Sequence, residues 1–251
     1  MPTVWLIRHG ESQSNAGQPT LSPELTQLTC LGRTQAEAIS SAFLSSSRTP
    51  SLIVISKFKR TQQTAEPTIS NFRNAYKEYK WSVHEFTYLS SKHSLCTSRQ
   101  ERCQQVQQFW NNCNPTYRDM EDAELDKDVE SFEQFIARVY GVIEQLRFSE
   151  KDFIAVFTHG QFIQAILWLL DASSIHLDEQ SKATYRQFCA AYPIPTGAIQ
   201  EIELWGRSEF RIGDLITSHL KVNNDIRPSG EVAADATESQ EFSLASAGSL
   251  S

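Results

Sequence analysis

The chain has 251 residues, 40% of them hydrophobic, which suits one large domain with a substantial core. Its formal net charge of −7 argues against nucleic acid or an anionic membrane surface as the main partner. If the ligand is an anion, a local cluster of positive charge must attract it against the field of the whole molecule.

The cysteines and the apolar runs bear on the compartment. The five cysteines are widely spaced and form no CxxC pair, so we expect free thiols in a reducing cytosol and no zinc site. The N-terminal "MPTVWLIRHG" has no basic leader. The longest apolar run, residues 165–170, is far shorter than the roughly 20 residues of a membrane-spanning helix. We therefore expect a cytoplasmic protein that does not insert into membranes.

Short apolar runs alternate along the chain with helical patterns. In chain order, strands are predicted at 4–7, 51–56, 82–86 and 152–157, and helices at 31–46, 57–70, 131–147 and 160–170. Residues 198–205 and 209–216 flank Gly206 and predict an edge strand with a hairpin partner. The alternation predicts an α/β fold, a three-layer α/β/α sandwich whose sheet is mostly parallel with one antiparallel edge strand.

Residues 87–130 interrupt the alternation, and we interpret them as an insert, or lid, over the strand ends of a domain spanning 1–221. Its basic side chains either bind a second anionic group of a substrate or form a solvated surface; they are Lys92, His93, Arg99 and Arg102. The acidic run 119–130 either forms a solvated face or binds a cation. Residues 222–251 are rich in Ser, Ala and acids and lack periodicity, which predicts a disordered tail.

Polar side chains follow the predicted strands at the edge where α/β sheets bind ligands. They are Arg8, His9 and Glu11 after the first strand, Ser56 and Arg60 after the second, Glu85 at the third, and Thr158 and His159 after the fourth. Arginine presents forked donors that suit phosphate oxygens, and a neutral imidazole can attack phosphorus. A carboxylic acid of raised pKa can protonate a leaving alkoxide. Together these residue types predict a phosphate-handling site.

Two further expectations concern the ends of the strands. Helices that start directly after Ser56 and Gly160 would direct backbone N–H groups at the same anion. We expect the Ser56 hydroxyl to bond a neighbouring backbone group rather than substrate, and Glu11 to orient its loop rather than to act in catalysis.

Four motifs in these segments resemble the histidine phosphatase superfamily, which includes cofactor-dependent phosphoglycerate mutases and many phosphatases. They are "LIRHGESQSN" at 6–15, "LTCLGRTQA" at 28–36, "SKFKRTQQTA" at 56–65 and "FTHGQF" at 157–162. The motifs occur in the family's order, and the resemblance extends over residues 3–220. It implies a phosphoglycerate mutase-like fold.

The resemblance also implies a role for each matching residue. His9 would be the nucleophile that becomes phosphorylated, and Glu85 the acid that protonates the leaving group. The phosphate would be held by Arg8, Arg60 and His159, with help from Asn15 and from the backbone N–H of Gln161. The resemblance implies no metal and no cofactor.

The same comparison favours hydrolysis over transfer. Mutases carry a Gly-Trp-x-Asp stretch before the second motif, where this chain has "AGQPTLSPELTQLTCLG". The predicted function is a metal-independent phosphomonoesterase that acts on a small phosphorylated substrate or a phosphopeptide. The alternatives are a phosphoglycerate mutase-type phosphotransferase, a metallohydrolase that uses the histidines, and a non-catalytic phosphate-binding protein, which the sequence "EFTYLSSKHS" from Glu85 onward would fit.

Overall fold

A computed structural model of the chain describes residues 2–18, 20, 22–79, 81–89, 99–118, 129–171, 177–206 and 208–221, with only the backbone described at 99–103. The strands are β1 (Thr3–Arg8), β2 (Leu52–Ile55), β3 (Tyr76–Glu78), β4 (Phe153–Thr158), β5 (Ile199–Trp205) and β6 (Glu209–Ile216). The helices are α1 (Cys30–Ser45), α2 (Lys59–Asn71), α3 (Arg99–Asn111), α4 (Phe132–Arg147), α5 (Gly160–Asp171) and α6 (Ser181–Ala191).

The six strands form one mixed sheet in the order β3-β2-β4-β1-β5-β6. Strands β1 to β4 run parallel, β5 runs antiparallel to β1, and β6 runs antiparallel to β5. The register pairs Arg8 on β1 with Thr158 on β4. Because these neighbouring parallel strands end side by side, the residues that follow them, His9 and His159, emerge at the same edge of the sheet.

The central strands are buried on both faces, as continuous apolar sequences predict. All six residues of β4 and all four of β2 are buried. Successive residues point to opposite faces, so Val4 and Leu6 contribute to a core shared with α4 and α5, and Trp5 and Ile7 to a second core shared with α1 and α2. The sheet therefore lies between two helical layers, and the predicted α/β/α sandwich is confirmed.

The predicted helices and most of the predicted strands are confirmed within a few residues. The antiparallel strand is β5, and its hairpin partner β6 takes the edge position outside it. Helices α3 and α6 and strand β3 were not predicted. Among the described residues, no helix has the length and apolar character needed to cross a membrane.

The strand predicted at 82–86 is wrong, because residues 82–88 contain no strand and the sheet instead uses Tyr76–Glu78. The N–H of Val83 donates to the carbonyl of Trp81 at 2.8 Å, a local turn rather than a ladder bond. The carbonyl of Val83 in turn accepts from the hydroxyl of Thr158 at 2.6 Å. A side chain from β4 thus binds a backbone carbonyl that a neighbouring strand would bind in a sheet.

Several expectations fall outside the described residues. These include the prediction for residues 222–251, most of the acidic run at 119–130, and the side chains of Lys92, His93, Arg99 and Arg102. Helix α3 lies within the segment interpreted as an insert at 87–130, and the division into domain, insert and tail stays a prediction. Cys30, Cys113 and Cys189 are free thiols.

Candidate active site

The two histidines that follow β1 and β4 lie against each other. Their ring centroids are 5.2 Å apart at an interplanar angle of 66°. His9 is 4% exposed and His159 is fully buried. Both imidazoles therefore lie in the low-dielectric environment that penalises the charged form.

The hydrogen bonds of His9 fix its tautomer. Nδ1 lies 2.7 Å from the carbonyl oxygen of Gly10, which can only accept, so Nδ1 carries the proton. Nε2 accepts from Nε of Arg60 at 3.0 Å. Burial, then the positive charges of Arg60 and Arg8, hold the pKa of His9 well below its ordinary value. The ring is thus neutral at physiological pH, with the lone pair on Nε2.

His159 has the opposite tautomer. Nη2 of Arg60 donates to its Nδ1 at 3.1 Å, so the proton sits on Nε2, which donates to the hydroxyl of Ser56 at 2.9 Å. Burial, followed by the charge of Arg60, lowers its pKa well below the ordinary value. The Ser56 hydroxyl also accepts from the N–H of Phe58 at 3.5 Å, so the backbone contact expected from the sequence is the weaker of its two bonds.

Arg60 connects the two imidazoles from the first turn of α2. Its third contact is from Nη1 to the carbonyl of Pro23 at 2.6 Å, and its guanidinium lies 4.8 Å from the ring centroid of Phe58. Burial lowers its pKa to about 10, against the opposing charge of Glu85. Arg60 therefore stays protonated at neutral pH.

Arg8 supplies a second cation at the end of β1, where its Nη1 donates to the carbonyl of Ile194. Its Nε lies 3.3 Å from where a Cβ would stand on Gly160. A side chain at the start of α5 would therefore press on the guanidinium, which explains the glycine that follows His159.

Glu85 reaches the site from the irregular segment 81–89. Its Oε1 accepts from the N–H of Phe86 at 3.1 Å, and its Oε2 accepts from the N–H of Gln161 at 3.4 Å. Burial raises the pKa of its carboxyl, against the charge of Arg60. The backbone N–H of Gln161, expected to face the anion, faces this carboxylate instead. The first N–H of α2, from Lys59, likewise donates to the carbonyl of Glu24.

The loop after β1 closes over the site through its own polar side chains. Oδ1 of Asn15 accepts from both the backbone N–H and the hydroxyl of Ser12, at 3.2 and 2.8 Å. Glu11 accepts from the hydroxyl of Thr29, the N-cap of α1, at 2.7 Å. Glu11 therefore orients its loop, as expected from the sequence, and Asn15 fixes the turn beside the cavity.

A cavity of about 190 Å³ is lined by Arg8, His9, Asn15, Arg60, Glu85 and several residues of the segment 12–26. It brings together five of the seven residues singled out from the sequence. His159 lies behind Arg60 and Gln161 behind Glu85, and neither is among the lining residues. A larger surface cleft of about 320 Å³ lies between α1 and α2, away from the strand ends.

The cavity combines two guanidinium groups, a neutral imidazole nitrogen and a carboxyl of raised pKa. Such a set favours an oxyanion, because guanidinium donors match phosphate oxygens and stabilise charge on a transferring phosphoryl group. In the described part of the chain, no three His, Cys, Asp or Glu side chains are grouped so that they could hold a metal ion.

The sequence analysis did not predict the contact between Ser56 and His159. The positions of the two residues could have indicated it, because Ile55 pairs with Phe157 in the register of β2 and β4, which places Ser56 next to the residues at the end of β4. Arg138, whose contacts with the segment of Glu85 are described below, carried no signal, because it lies in an amphipathic helix far from every motif.

The sequence matches the histidine phosphatase superfamily (branch 1) over residues 4–187. The chain belongs to this superfamily, as the four motifs predict. The protein is thus a histidine phosphatase by family, and the class of enzyme predicted from the sequence is confirmed. No curated protein matches the chain.

Solved structures of phosphatases share the fold. An alpha-ribazole phosphatase from Shigella flexneri is 20% identical with a TM-score of 0.62, over 85% of this chain and 95% of that one. A phosphoserine phosphatase from Entamoeba histolytica, in complex with 3-phosphoglyceric acid, is 15% identical with a TM-score of 0.60, over 88% and 100%. A mycobacterial glucosyl-3-phosphoglycerate phosphatase in complex with VO3 is 18% identical with a TM-score of 0.59, over 84% and 97%.

Proposed function

We propose that the protein is a metal-independent phosphomonoesterase that works through a phosphohistidine on Nε2 of His9. The observation that carries the proposal is the neutral, buried imidazole of His9, whose Nε2 lone pair faces Arg60 beside the cavity. A neutral imidazole nitrogen is a competent nucleophile, and its Nδ1–H bond to the carbonyl of Gly10 fixes the direction of attack.

The reaction has two displacements. In the first, Nε2 of His9 bonds to phosphorus as the P–O bond to the leaving group breaks, and the carboxyl of Glu85 gives its proton to the departing oxygen. In the second, water attacks phosphorus, its proton passes to Glu85, and the N–P bond breaks to release phosphate. Burial favours the protonated carboxyl that the first step requires.

The two cations would hold the phosphoryl group, and His159 would orient Arg60 from behind. Arg60 donates to both imidazoles from one guanidinium, so a phosphate oxygen would compete for these same N–H groups. Arg8 adds a second charge at the end of β1. Fixed donors of this kind stabilise charge that develops in the transition state without reorganisation.

The substrate class is inferred as a small phosphorylated molecule or a phosphopeptide. The structural neighbours are named for phosphoserine, alpha-ribazole and glucosyl-3-phosphoglycerate phosphatase activities. The cavity of about 190 Å³ suits a phosphate group with a compact leaving group.

A trapping experiment tests the mechanism. Wild-type protein and His9→Ala are mixed briefly with a ³²P-labelled phosphoester and quenched in denaturant at alkaline pH. We expect acid-labile label on wild type only, release of free phosphate, and unchanged turnover in excess chelator. Equal label on both proteins, or none on either, would reject the phosphohistidine. Transfer of label to an acceptor alcohol in place of phosphate release would indicate a phosphotransferase.

A further inference from the structure

Arg138, on α4, lies outside every motif of the sequence and donates three hydrogen bonds to the segment that carries Glu85. Its Nη1 donates to the carbonyls of Ser82 and His84 at 2.8 and 3.0 Å, and its Nη2 to the carbonyl of Glu85 at 3.4 Å. The remaining N–H groups of Nε and Nη2 bind the two carboxylate oxygens of Glu130. All five guanidinium donors are thus used.

The arginine is itself held rigidly. Its side chain is 12% exposed, and its guanidinium lies 5.2 and 5.4 Å from the ring centroids of Phe135 and Phe162. Glu130 extends the contact, because its Oε1 accepts from the N–H of Thr87 and its own N–H donates to the carbonyl of Thr87. A single, partly buried ion pair therefore contacts the backbone on both sides of Glu85.

The segment 82–88 has no strand ladder to fix it. Its placement depends on side chains, namely Arg138, Glu130 and the hydroxyl of Thr158 on the carbonyl of Val83. Because the guanidinium of Arg138 binds three carbonyls within four residues, it sets the path of the backbone at 82–85. The direction of the Glu85 side chain follows from that path.

We propose that Arg138 is a positioning residue that aims the carboxyl of Glu85 at the leaving group. The proposal rests on the proposed role of Glu85 as proton donor. Arg138 contacts the carbonyl of Glu85 and not its carboxylate, so it acts through the backbone. The carboxylate oxygens are occupied by the N–H groups of Phe86 and Gln161.

The test compares two substrates that differ in their need for a proton. A 4-nitrophenolate departs without protonation, whereas the more basic phenolate departs faster when an acid protonates it. The readout is kcat/KM for phenyl phosphate relative to 4-nitrophenyl phosphate, which reports on the first displacement. We expect Arg138→Ala to lower the phenyl value by about 100-fold, the scale of a catalytic group misplaced by about 1 Å. The 4-nitrophenyl value should fall less than about 5-fold, leaving a large change in the ratio.

Arg147→Ala is the matched control. Arg147 lies on the same helix, its side chain is 7% exposed, and it also donates to a backbone carbonyl, that of Glu209. It does not touch the segment of Glu85, so its loss should lower stability without changing the substrate ratio. Arg138→Lys, which keeps the charge but not the fork, should change the ratio in the same direction and provides the test if the alanine variant does not fold.

Glu85→Gln, together with Arg138→Ala and the double variant, completes a double-mutant cycle. It should change the ratio at least as much as Arg138→Ala, and the double variant should show no further change, because both substitutions remove one function. A ratio altered by Glu85→Gln but unaffected by either Arg138 variant would overturn the positioning role. A ratio unaffected by Glu85→Gln would instead overturn the proton donor in the proposed function.

Discussion

At the scale of single residues, Arg60 sets which ring nitrogen of each histidine carries the proton. One guanidinium donates to Nε2 of His9 and to Nδ1 of His159, and a donor in each place requires an unprotonated nitrogen there. The two histidines are therefore fixed as opposite tautomers, one with its proton on Nδ1 and the other on Nε2. The same arginine thereby leaves an unprotonated Nε2 on His9 beside the cavity and directs the only N–H of His159 at Ser56.

The first prediction concerns the titration of these rings. Because burial and Arg60 lower the pKa of both, His9 and His159 should stay neutral as the pH falls from 7.5 to 5.5, where an ordinary histidine becomes charged. Imidazole ¹⁵N shifts, assigned with His9→Gln and His159→Gln, measure this directly. Titration of either ring near pH 6.5 in the folded protein would contradict it.

The second prediction concerns Ser56, whose hydroxyl accepts from Nε2 of His159 in a fully buried setting. Ser56→Ala leaves this donor unsatisfied, which should cost about 1–3 kcal/mol of unfolding free energy and lower kcat/KM by about 10-fold. Urea denaturation and 4-nitrophenyl phosphate hydrolysis measure the two effects. Ser45→Ala is the control, because the exposed Ser45 hydroxyl only bonds the carbonyl of Ser41, and equal losses in both variants would refute the role of Ser56.

At the scale of elements, the sequence predicts what depends on local pattern. Continuous apolar runs located β1, β2 and β4, and the rule that ligands bind at strand ends then located Arg8, His9 and His159. The prediction for 82–86 failed because the backbone there is held by Arg138 and Thr158, which are far away in sequence. No local pattern encodes such partners, so Glu85 was placed from a strand that does not form and from its family position.

Strand β3 and helix α3 were not predicted because their sequences carry only weak patterns. Strand β3 has only three residues, one of them exposed, and pairs with β2 alone at the edge of the sheet. Helix α3 is rich in Gln, Arg and Glu and has few apolar positions. Short polar edge strands and polar helices take their structure from the body they pack on rather than from their own periodicity.

The third prediction concerns the packing of the loop after β1 on helix α1. A Cβ on Gly32 would lie 2.0 Å from the carbonyl oxygen of Glu11, which is backbone and cannot move without displacing the loop of His9. Gly32→Ala should therefore lower the free energy of unfolding by about 3 kcal/mol or more and abolish most activity.

The control is Gly141, in the exposed middle of α4, where a Cβ would meet nothing within 4 Å. Gly141→Ala should stabilise by about 0.5–1 kcal/mol in the same urea experiment. Similar effects of the two substitutions would show that the close approach is absent.

At the scale of the whole molecule, local and global charge oppose each other. The chain carries a net charge of −7, yet two arginines line one small cavity at the strand ends. The two cations, Arg60 buried and Arg8 partly buried, attract an anion strongly at short range, because little water screens them, while the global field slightly repels it at long range. Binding should therefore depend on these two side chains far more than on ionic strength.

The fourth prediction concerns stability in acid. His84 lies beside the ring of Phe58, and burial, with the charges of Arg138 and Lys57, lowers its pKa to about 3. A group whose folded pKa lies below its unfolded value of about 6.5 contributes stability that is present at pH 7 and lost as the pH falls. Between pH 7 and pH 5 this loss reaches about 2 kcal/mol for a fully neutral ring, or about 1–2 kcal/mol for the partly solvated His84.

His9 and His159 shift in the same direction and add to this loss, whereas the raised pKa of Glu85 has the opposite sign and favours the fold at lower pH. The unfolding free energy in urea should therefore fall from pH 7 to pH 5. His84→Asn should reduce that fall by about 1–2 kcal/mol, since it removes one group that must take up a proton on unfolding. Equal falls in wild type and His84→Asn would mean that His84 takes up its proton in the folded protein as readily as in the unfolded chain, and that burial and the charge of Arg138 do not lower its pKa.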